Sequence, residues 1–174
     1  MSYDLKIITV KKNKRSNISN WINDLQRVEG VVDYLPSKYP YYLGINPSNY
    51  IQKIAYKLSL FYAKLTLKGN YYDKGGFWGK SLVRSVELYI SKGYNNVIVS
   101  VAPFHNAIHL IPLISKYRDV NFIVDFRDPW INNKTAYGYE SLSIQRKDYE
   151  IQNQKKVLNN YNYVVSVAET MTNY

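Results

Sequence analysis

The sequence predicts an α/β domain of Rossmann-like type, with a mostly parallel sheet and helices on both faces. Short apolar runs rich in β-branched residues alternate with longer segments whose apolar residues recur every three or four positions. The clearest runs are continuously apolar, which is typical of parallel strands that are buried on both sides. The length of 174 residues, 46% of them hydrophobic, is sufficient for one domain with its own core.

The first half of the chain is predicted to contain two strands and three helices. The first helix is short: Ser19 precedes it as an N-cap, and Trp21 and Ile22 begin its apolar face. Gly69 and Gly93 mark the ends of the two longer helices. The predicted order is strand 5–10, a short helix near 19–28, strand 31–35, helix 49–68 and helix 77–92.

In the second half, strands and helices alternate regularly. The predicted order is strand 97–101, helix 105–117, strand 121–126, helix 140–159, strand 163–167 and the start of a helix at 168. Because only a short piece of helix follows the last strand, we expect residues 1–174 to be one lobe of something larger, or a fragment.

Several classes of protein are excluded by what the sequence lacks. Without cysteine it has no disulfide scaffold, thiolate metal site or cysteine nucleophile. It contains no Gly-x-Gly-x-x-Gly, P-loop or Gly-x-Ser-x-Gly motif, which argues against a dinucleotide dehydrogenase, a P-loop ATPase and an α/β-hydrolase. Residues 1–6 lack the order of a secretory signal, and no apolar run is long enough to span a membrane. The expected location is therefore the cytoplasm.

Positive charge dominates the chain, with 23 Lys and Arg against 13 Asp and Glu and a net charge of +10. This balance favours an anionic partner, although the abundance of lysine, asparagine and tyrosine equally fits drift toward A/T-rich codons. Lys11 and Lys12 follow the first strand, where they either meet a phosphate or form a solvated loop. The excess of positive charge is concentrated in the first half of the chain.

The predicted helix 49–68 carries an apolar stripe bordered by lysines and has no acidic residue. One interpretation places it on an anionic membrane surface, with the lysines near the lipid headgroups. The other, which the spacing alone favours, lets the stripe cover the sheet while the lysines reach solvent. The stripe consists of Ile51, Ile54, Leu58, Phe61 and Leu65, and the lysines are Lys53, Lys57, Lys64 and Lys68.

The most informative segment, residues 125–130, leaves the end of a predicted strand. Ligands of open α/β sheets bind outside the carboxyl ends of the strands. Arg127 can bind a carboxylate or phosphate with two parallel bonds, while Asp125 and Asp128 can accept sugar hydroxyls or act as a base. The alternative, favoured by spacing alone, is an Arg–Asp pair that fixes a loop, with Trp130 as a packing residue.

A second candidate segment follows the strand 97–101. His105 lies at the start of a predicted helix, where free backbone N–H groups favour an anion and are expected to lower the imidazole pKa. His109 lies on the same helix face, but no third ligand accompanies the two, so no metal site is predicted. His109 inside an apolar helix is better interpreted as a hydrogen-bonded core residue.

Three segments resemble bacterial family 4 glycosyltransferases. Residues 125–130, Asp-Phe-Arg-Asp-Pro-Trp, match the D-F-R-D-P-W signature in the N-terminal domain of many of these proteins. Residues 103–111 are similar to their P-P-H-S-x-H-L-I stretch one strand earlier, and residues 157–167 are similar to the segment before their inter-domain linker. The likeness is best over residues 95–174 and weak over residues 11–80.

The resemblance implies a GT-B fold of two Rossmann-like lobes. This N-terminal lobe would bind a glycan or lipid-linked acceptor, and the absent C-terminal lobe would bind the nucleotide-sugar, which is the co-substrate. It also implies a retaining, metal-independent enzyme of capsule, lipopolysaccharide or other surface polysaccharide synthesis, peripheral at the inner membrane. This lobe alone is expected to be inactive. The implied site residues are Asp128 and His105 as catalytic groups, and Arg127, Asp125, Trp130, Asn106, Lys11 and Lys12 as substrate-binding groups.

A second interpretation is a non-catalytic α/β module that binds nucleic acid or an acidic membrane surface. A receiver-like module would need acidic residues after the first strand, where this chain has Lys11 and Lys12. The resemblance, in contrast, implies no nucleic-acid partner. Because phosphate contacts make nucleic-acid affinity fall steeply with salt, a binding assay at two salt concentrations separates the two interpretations.

Overall fold

The structure, a computed structural model, describes residues 4–10, 30–131 and 138–167 and confirms a Rossmann-like, mostly parallel α/β fold. Within these residues five strands and four helices are present. In chain order they are β1 Ile7–Val10, β2 Val32–Leu35, α1 Tyr50–Thr66, α2 Gly79–Ser91, β3 Asn96–Val101, α3 His105–Lys116, β4 Asn121–Phe126, α4 Ile144–Asn160 and β5 Tyr163–Ser166. The predicted helix near 19–28 and the helix start at 168 lie outside the described residues.

All strand pairs are parallel, as the continuous apolar runs predicted. β1 pairs with β2, and the second sheet has the order β3-β4-β5. Its register aligns Val99 with Val124 and Val124 with Val164. Because the three strands run in the same direction, their carboxyl ends share one side of the sheet, called here the carboxyl edge and formed by Val101, Phe126 and Ser166.

The main core lies between the second sheet and the helices α2, α3 and α4. Alternate side chains of β3 and β4, such as Val101, Phe122 and Val124, are fully buried in it. Ile8 of β1 packs against the same core, which places β1 and β2 beside the larger sheet. On the opposite face of the sheet Ile98 is exposed.

The predicted helix boundaries are confirmed to within a few residues, except at the start of α4. That helix begins at Ile144 because residues Tyr139–Ser141 form a separate short 3-10 helix. Two further 3-10 helices lie at Tyr41–Gly44 and Lys74–Phe77. In the described ranges, no helix is both long enough and apolar enough to cross a bilayer.

The interpretation in which the apolar stripe of α1 covers the sheet is wrong. The stripe, from Ile51 to Leu65, is exposed. α1 packs instead through its opposite side, where Ala63 is buried in a second, smaller core with Leu43 and Phe77. The three- and four-residue spacing correctly grouped these apolar side chains on one face of α1. That face does not cover the sheet, because α2 and α3 already do so.

Candidate functional site

The two segments singled out at strand ends meet at the carboxyl edge. One follows β3 into α3, and the other follows β4 through residues 127–130. The ring of Trp130 stacks on that of Phe104, with centroids 5.4 Å apart and an angle of 16° between the planes. The two segments are therefore neighbours, as the ends of adjacent parallel strands must be.

Glu150 of α4 joins the two segments through a buried polar cluster. Its side chain has no exposed surface. Oε1 lies 2.9 Å from Nε2 of His105 and accepts from the backbone N–H of Asn70 at 2.5 Å. Oε2 accepts from Nε1 of Trp130 at 2.7 Å. One carboxylate thus connects the start of α3, the loop after β4 and the chain that follows α1. The group of Glu150, His105, Asn70 and Trp130 is called the Glu150 cluster below.

A second buried carboxylate, Asp73, caps α3 from a distant part of the chain. Its Oδ2 accepts from the backbone N–H groups of Phe104 at 2.7 Å and His105 at 3.3 Å. Its Oδ1 accepts from the N–H of Gly75 at 2.6 Å. Phe104, the N-cap residue of α3, provides no side-chain acceptor of its own. Asp73 therefore satisfies N–H groups at the helix start that would otherwise be buried without partners.

The expectation that the helix N-terminus lowers the His105 pKa is wrong. Burial by itself would lower this pKa, but the negative charge of Asp73 and the hydrogen bond to Glu150 outweigh it and raise it to about 8. Burial would raise the pKa of Glu150, yet its bonds to His105, Asn70 and Trp130 hold it below its usual range. At neutral pH the pair is therefore an imidazolium facing a carboxylate.

This raised pKa predicts that stability decreases with increasing pH. A folded-state pKa of about 8 against an unfolded value of 6.5 means that protonated His105 stabilises the fold fully below about pH 6.5, and that this is lost as pH rises through about 8. We expect the free energy of unfolding to fall by about 2 kcal/mol from this group over that interval. Urea denaturation at a series of pH values measures it. A His105→Gln variant should lose this slope, and an unchanged slope in the variant would assign it to other groups.

Asp125, Arg127 and Asp128 lie at the accessible part of the edge. Nε of Arg127 is 2.8 Å from Oδ2 of Asp125, and the Arg127 side chain is 68% exposed. The pair raises the pKa of the guanidinium through this hydrogen bond. Asp128 is half-buried beside them. The arrangement matches the loop-fixing alternative, and it also leaves Arg127 open to an anionic or hydroxyl-bearing ligand.

The other predicted site residues are less accessible. Trp130 is buried, and its indole N–H is bonded to Glu150, which matches the packing alternative. Asn106 is buried at the wall of a cleft of about 720 Å³ that lies between β1, α2 and β3, and its Oδ1 has no partner in the described part of the chain. Lys11 and Lys12 lie outside the described residues.

His109 is the remaining histidine of the second candidate segment. Burial, together with the charge of His105, lowers its pKa, and its Nε2 is buried without a hydrogen-bond partner in the described part of the chain. This agrees with its interpretation as a core residue. Across residues 4–10, 30–131 and 138–167, no three His, Asp or Glu side chains are grouped so that they could hold a metal ion.

Glu150, Asp73 and Asn70 were missed by the sequence analysis. A weak signal existed for Glu150, because it shares one helical stripe with Asn153 and Val157, the buried side of α4. A carboxylate on a stripe that faces the core requires buried partners. Asp73 had no comparable signal, since a carboxylate before two glycines is also common in exposed turns.

Comparison with known proteins identified no relative: no family model, no curated protein and no solved structure matches this chain.

Proposed function

We propose that this chain is the acceptor-binding, N-terminal lobe of a GT-B glycosyltransferase that acts in the cytoplasm on surface polysaccharide. The donor, a nucleotide-sugar, would be bound mainly by a second lobe, and the acceptor is a glycan or a lipid-linked sugar. The observation that supports this most is the Glu150 cluster. It joins the two segments that carry the sequence resemblance, residues 103–111 and 125–130, into one unit at the carboxyl edge. That edge is where ligands of open α/β sheets bind.

In this proposal the residues of the edge have two different tasks. Arg127, which is exposed, binds a phosphate or hydroxyl group of the acceptor, and Asp125, which is 16% exposed, holds the guanidinium in place. Asp128 orients or deprotonates the reacting hydroxyl. His105 and Trp130 are buried and bonded to Glu150, so they act as positioning residues that fix the loop after β4. Asn106 lies at the wall of the cleft near the same end of β3, but its unpaired Oδ1 is buried, so it is not assigned a ligand contact.

Loss of the Arg127 guanidinium should weaken acceptor binding without affecting the fold. We expect Arg127→Ala to lower the affinity for N-acetylglucosamine 1-phosphate, used as a mimic of a phosphate-linked acceptor, roughly tenfold, because a charge-assisted hydrogen bond is lost. Titration calorimetry measures the affinity. Arg84→Ala, on the exposed side of α2, is the matched control and should bind like the parent. Equal affinity in both variants would remove Arg127 from the site.

The assignment of the acceptor to this lobe and the donor to the other is tested separately. Titration of this chain with UDP-glucose and GDP-mannose should give at most weak binding, since the proposal assigns the donor to the other lobe. Tight donor binding would contradict the proposal. Filter binding with a DNA and an RNA oligonucleotide at two salt concentrations tests the non-catalytic alternative, which requires an affinity that falls steeply with salt.

A further inference from the structure

α1 presents a continuous apolar surface to solvent. Ile51, Leu58 and Leu65 are 75%, 65% and 71% exposed, values unusual for large apolar side chains that follow one another along a single helix face. At 3.6 residues per turn they lie on the side opposite the buried Ala63. The surface, called the α1 stripe below, is formed by Tyr50, Ile51, Ile54, Leu58, Phe61, Tyr62 and Leu65.

Lysines follow one border of the α1 stripe. Lys53, Lys57 and Lys64 are exposed and share a helical row beside it, and Lys68 follows just after the helix. Residues 50–66 contain no acidic side chain. An apolar face bordered by cations without compensating anions is the pattern of a helix that lies in the interface of an anionic membrane.

The surroundings of α1 fix the direction in which the stripe points. Its carboxyl end is bound by Arg146 of α4, whose guanidinium contacts the carbonyl oxygens of Lys64, Leu67 and Gly69. Three residues after Leu67 the chain enters the Glu150 cluster at Asn70. The carboxyl end of α1 is therefore close to the Glu150 cluster.

We propose that α1 docks lengthwise on an anionic lipid surface, with the α1 stripe among the headgroups and acyl chain ends and the lysines on lipid phosphates. The inference does not depend on the proposed sugar transfer. A lipid surface is favoured over a second copy of the chain by charge. In a symmetric pair the same patch meets itself, and an α1-to-α1 contact would place both lysine rows at its border with no acid on either helix to pair with them.

A tryptophan reporter tests the docking directly. Leu58→Trp places the probe in the centre of the α1 stripe, and Leu88→Trp places it at a half-exposed position of α2. With vesicles of phosphatidylcholine and phosphatidylglycerol, the first variant should show a blue shift of its emission and the second should not. With pure phosphatidylcholine vesicles the Leu58→Trp shift should be much smaller, and salt should reduce it. No shift with anionic vesicles, or an equal shift with both vesicle types, would overturn the proposal.

Variants that remove charge measure the electrostatic contribution to vesicle binding. Lys53→Gln together with Lys57→Gln should reduce the partition coefficient in vesicle sedimentation roughly thirtyfold, since each lysine near an anionic surface contributes about 1 kcal/mol. Lys155→Gln with Lys156→Gln, exposed on α4, changes the net charge equally and should have little effect. An equal reduction of the partition coefficient in the two double variants would overturn the proposal. So would self-association through α1, seen in sedimentation velocity and abolished by Leu58→Ser while vesicle binding persists.

Discussion

Replacing Glu150 by alanine is expected to lower the free energy of unfolding by about 3–5 kcal/mol, the usual cost of removing one partner from a buried ion pair. The variant removes the hydrogen-bonded counter-charge of the buried His105 imidazolium and leaves it with the charge of Asp73. It also removes the carboxylate oxygens that accept from the N–H groups of Asn70 and Trp130. Guanidinium chloride denaturation at pH 7, followed by circular dichroism, measures the change.

Two further variants separate this effect from a general loss of charge. Glu87 forms an ion pair with Lys116 at 2.7 Å on the surface, so Glu87→Gln should leave the midpoint of denaturation unchanged. His105→Ala in the Glu150→Ala background should lower the free energy of unfolding by less than the sum of the two single changes. The reason is that it removes the buried charge that has lost its hydrogen-bonded partner. Additive losses, or a Glu150→Ala midpoint equal to that of Glu87→Gln, would show that the cluster does not hold the edge together.

The strands of the second sheet were predictable because their signal is local. β3 and β4 are continuous β-branched and aromatic runs, and the turns before and after them are marked by asparagine, glycine or proline. Parallel pairing followed from the helices between them, since parallel strands require long crossovers. Residues 103–111 and 125–130 each follow a predicted strand of one parallel sheet, so they are expected at the same edge.

The chemistry of that edge was not predictable, because it depends on residues far apart in the chain. Glu150 lies 45 positions from His105 and 80 from Asn70. The local argument for His105 counted only the backbone dipole of its own helix, which favours the neutral ring. Two carboxylates brought in by tertiary packing reversed the sign of the pKa shift.

α1 shows a different limit of sequence patterns. Its three- and four-residue spacing correctly grouped Ile51, Leu58 and Leu65 on one face, because spacing determines which side chains point the same way. Spacing carries no information about what that face meets. The sheet was already covered by α2 and α3, so α1 lies on the smaller core through Ala63, and its more apolar side remains exposed.

Besides its packing on the smaller core, α1 is attached at its carboxyl end by Arg146 of α4, and the second large effect is expected there. The guanidinium of Arg146 lies 5.2 Å from the centre of the Tyr71 ring. It also satisfies carbonyl groups at a helix end that have no partner within the helix. Nη1 donates to the carbonyl oxygens of Leu67 and Gly69 at 2.6 Å and Lys68 at 3.1 Å, and Nη2 donates to that of Lys64 at 2.6 Å.

Arg146→Lys keeps the charge but removes the planar fork that reaches several carbonyl groups at once. We expect a loss of roughly 2–3 kcal/mol in the free energy of unfolding, because hydrogen bonds from a charged donor contribute more than neutral ones. Arg84→Lys, on the exposed side of α2, should cause no change. Amide hydrogen exchange adds a local readout: in the Arg146 variant, exchange should accelerate at residues 64–68 while β3 and β4 keep their protection. If both strands and α1 lost protection equally, Arg146 would support the whole fold and would not be a specific clamp on α1.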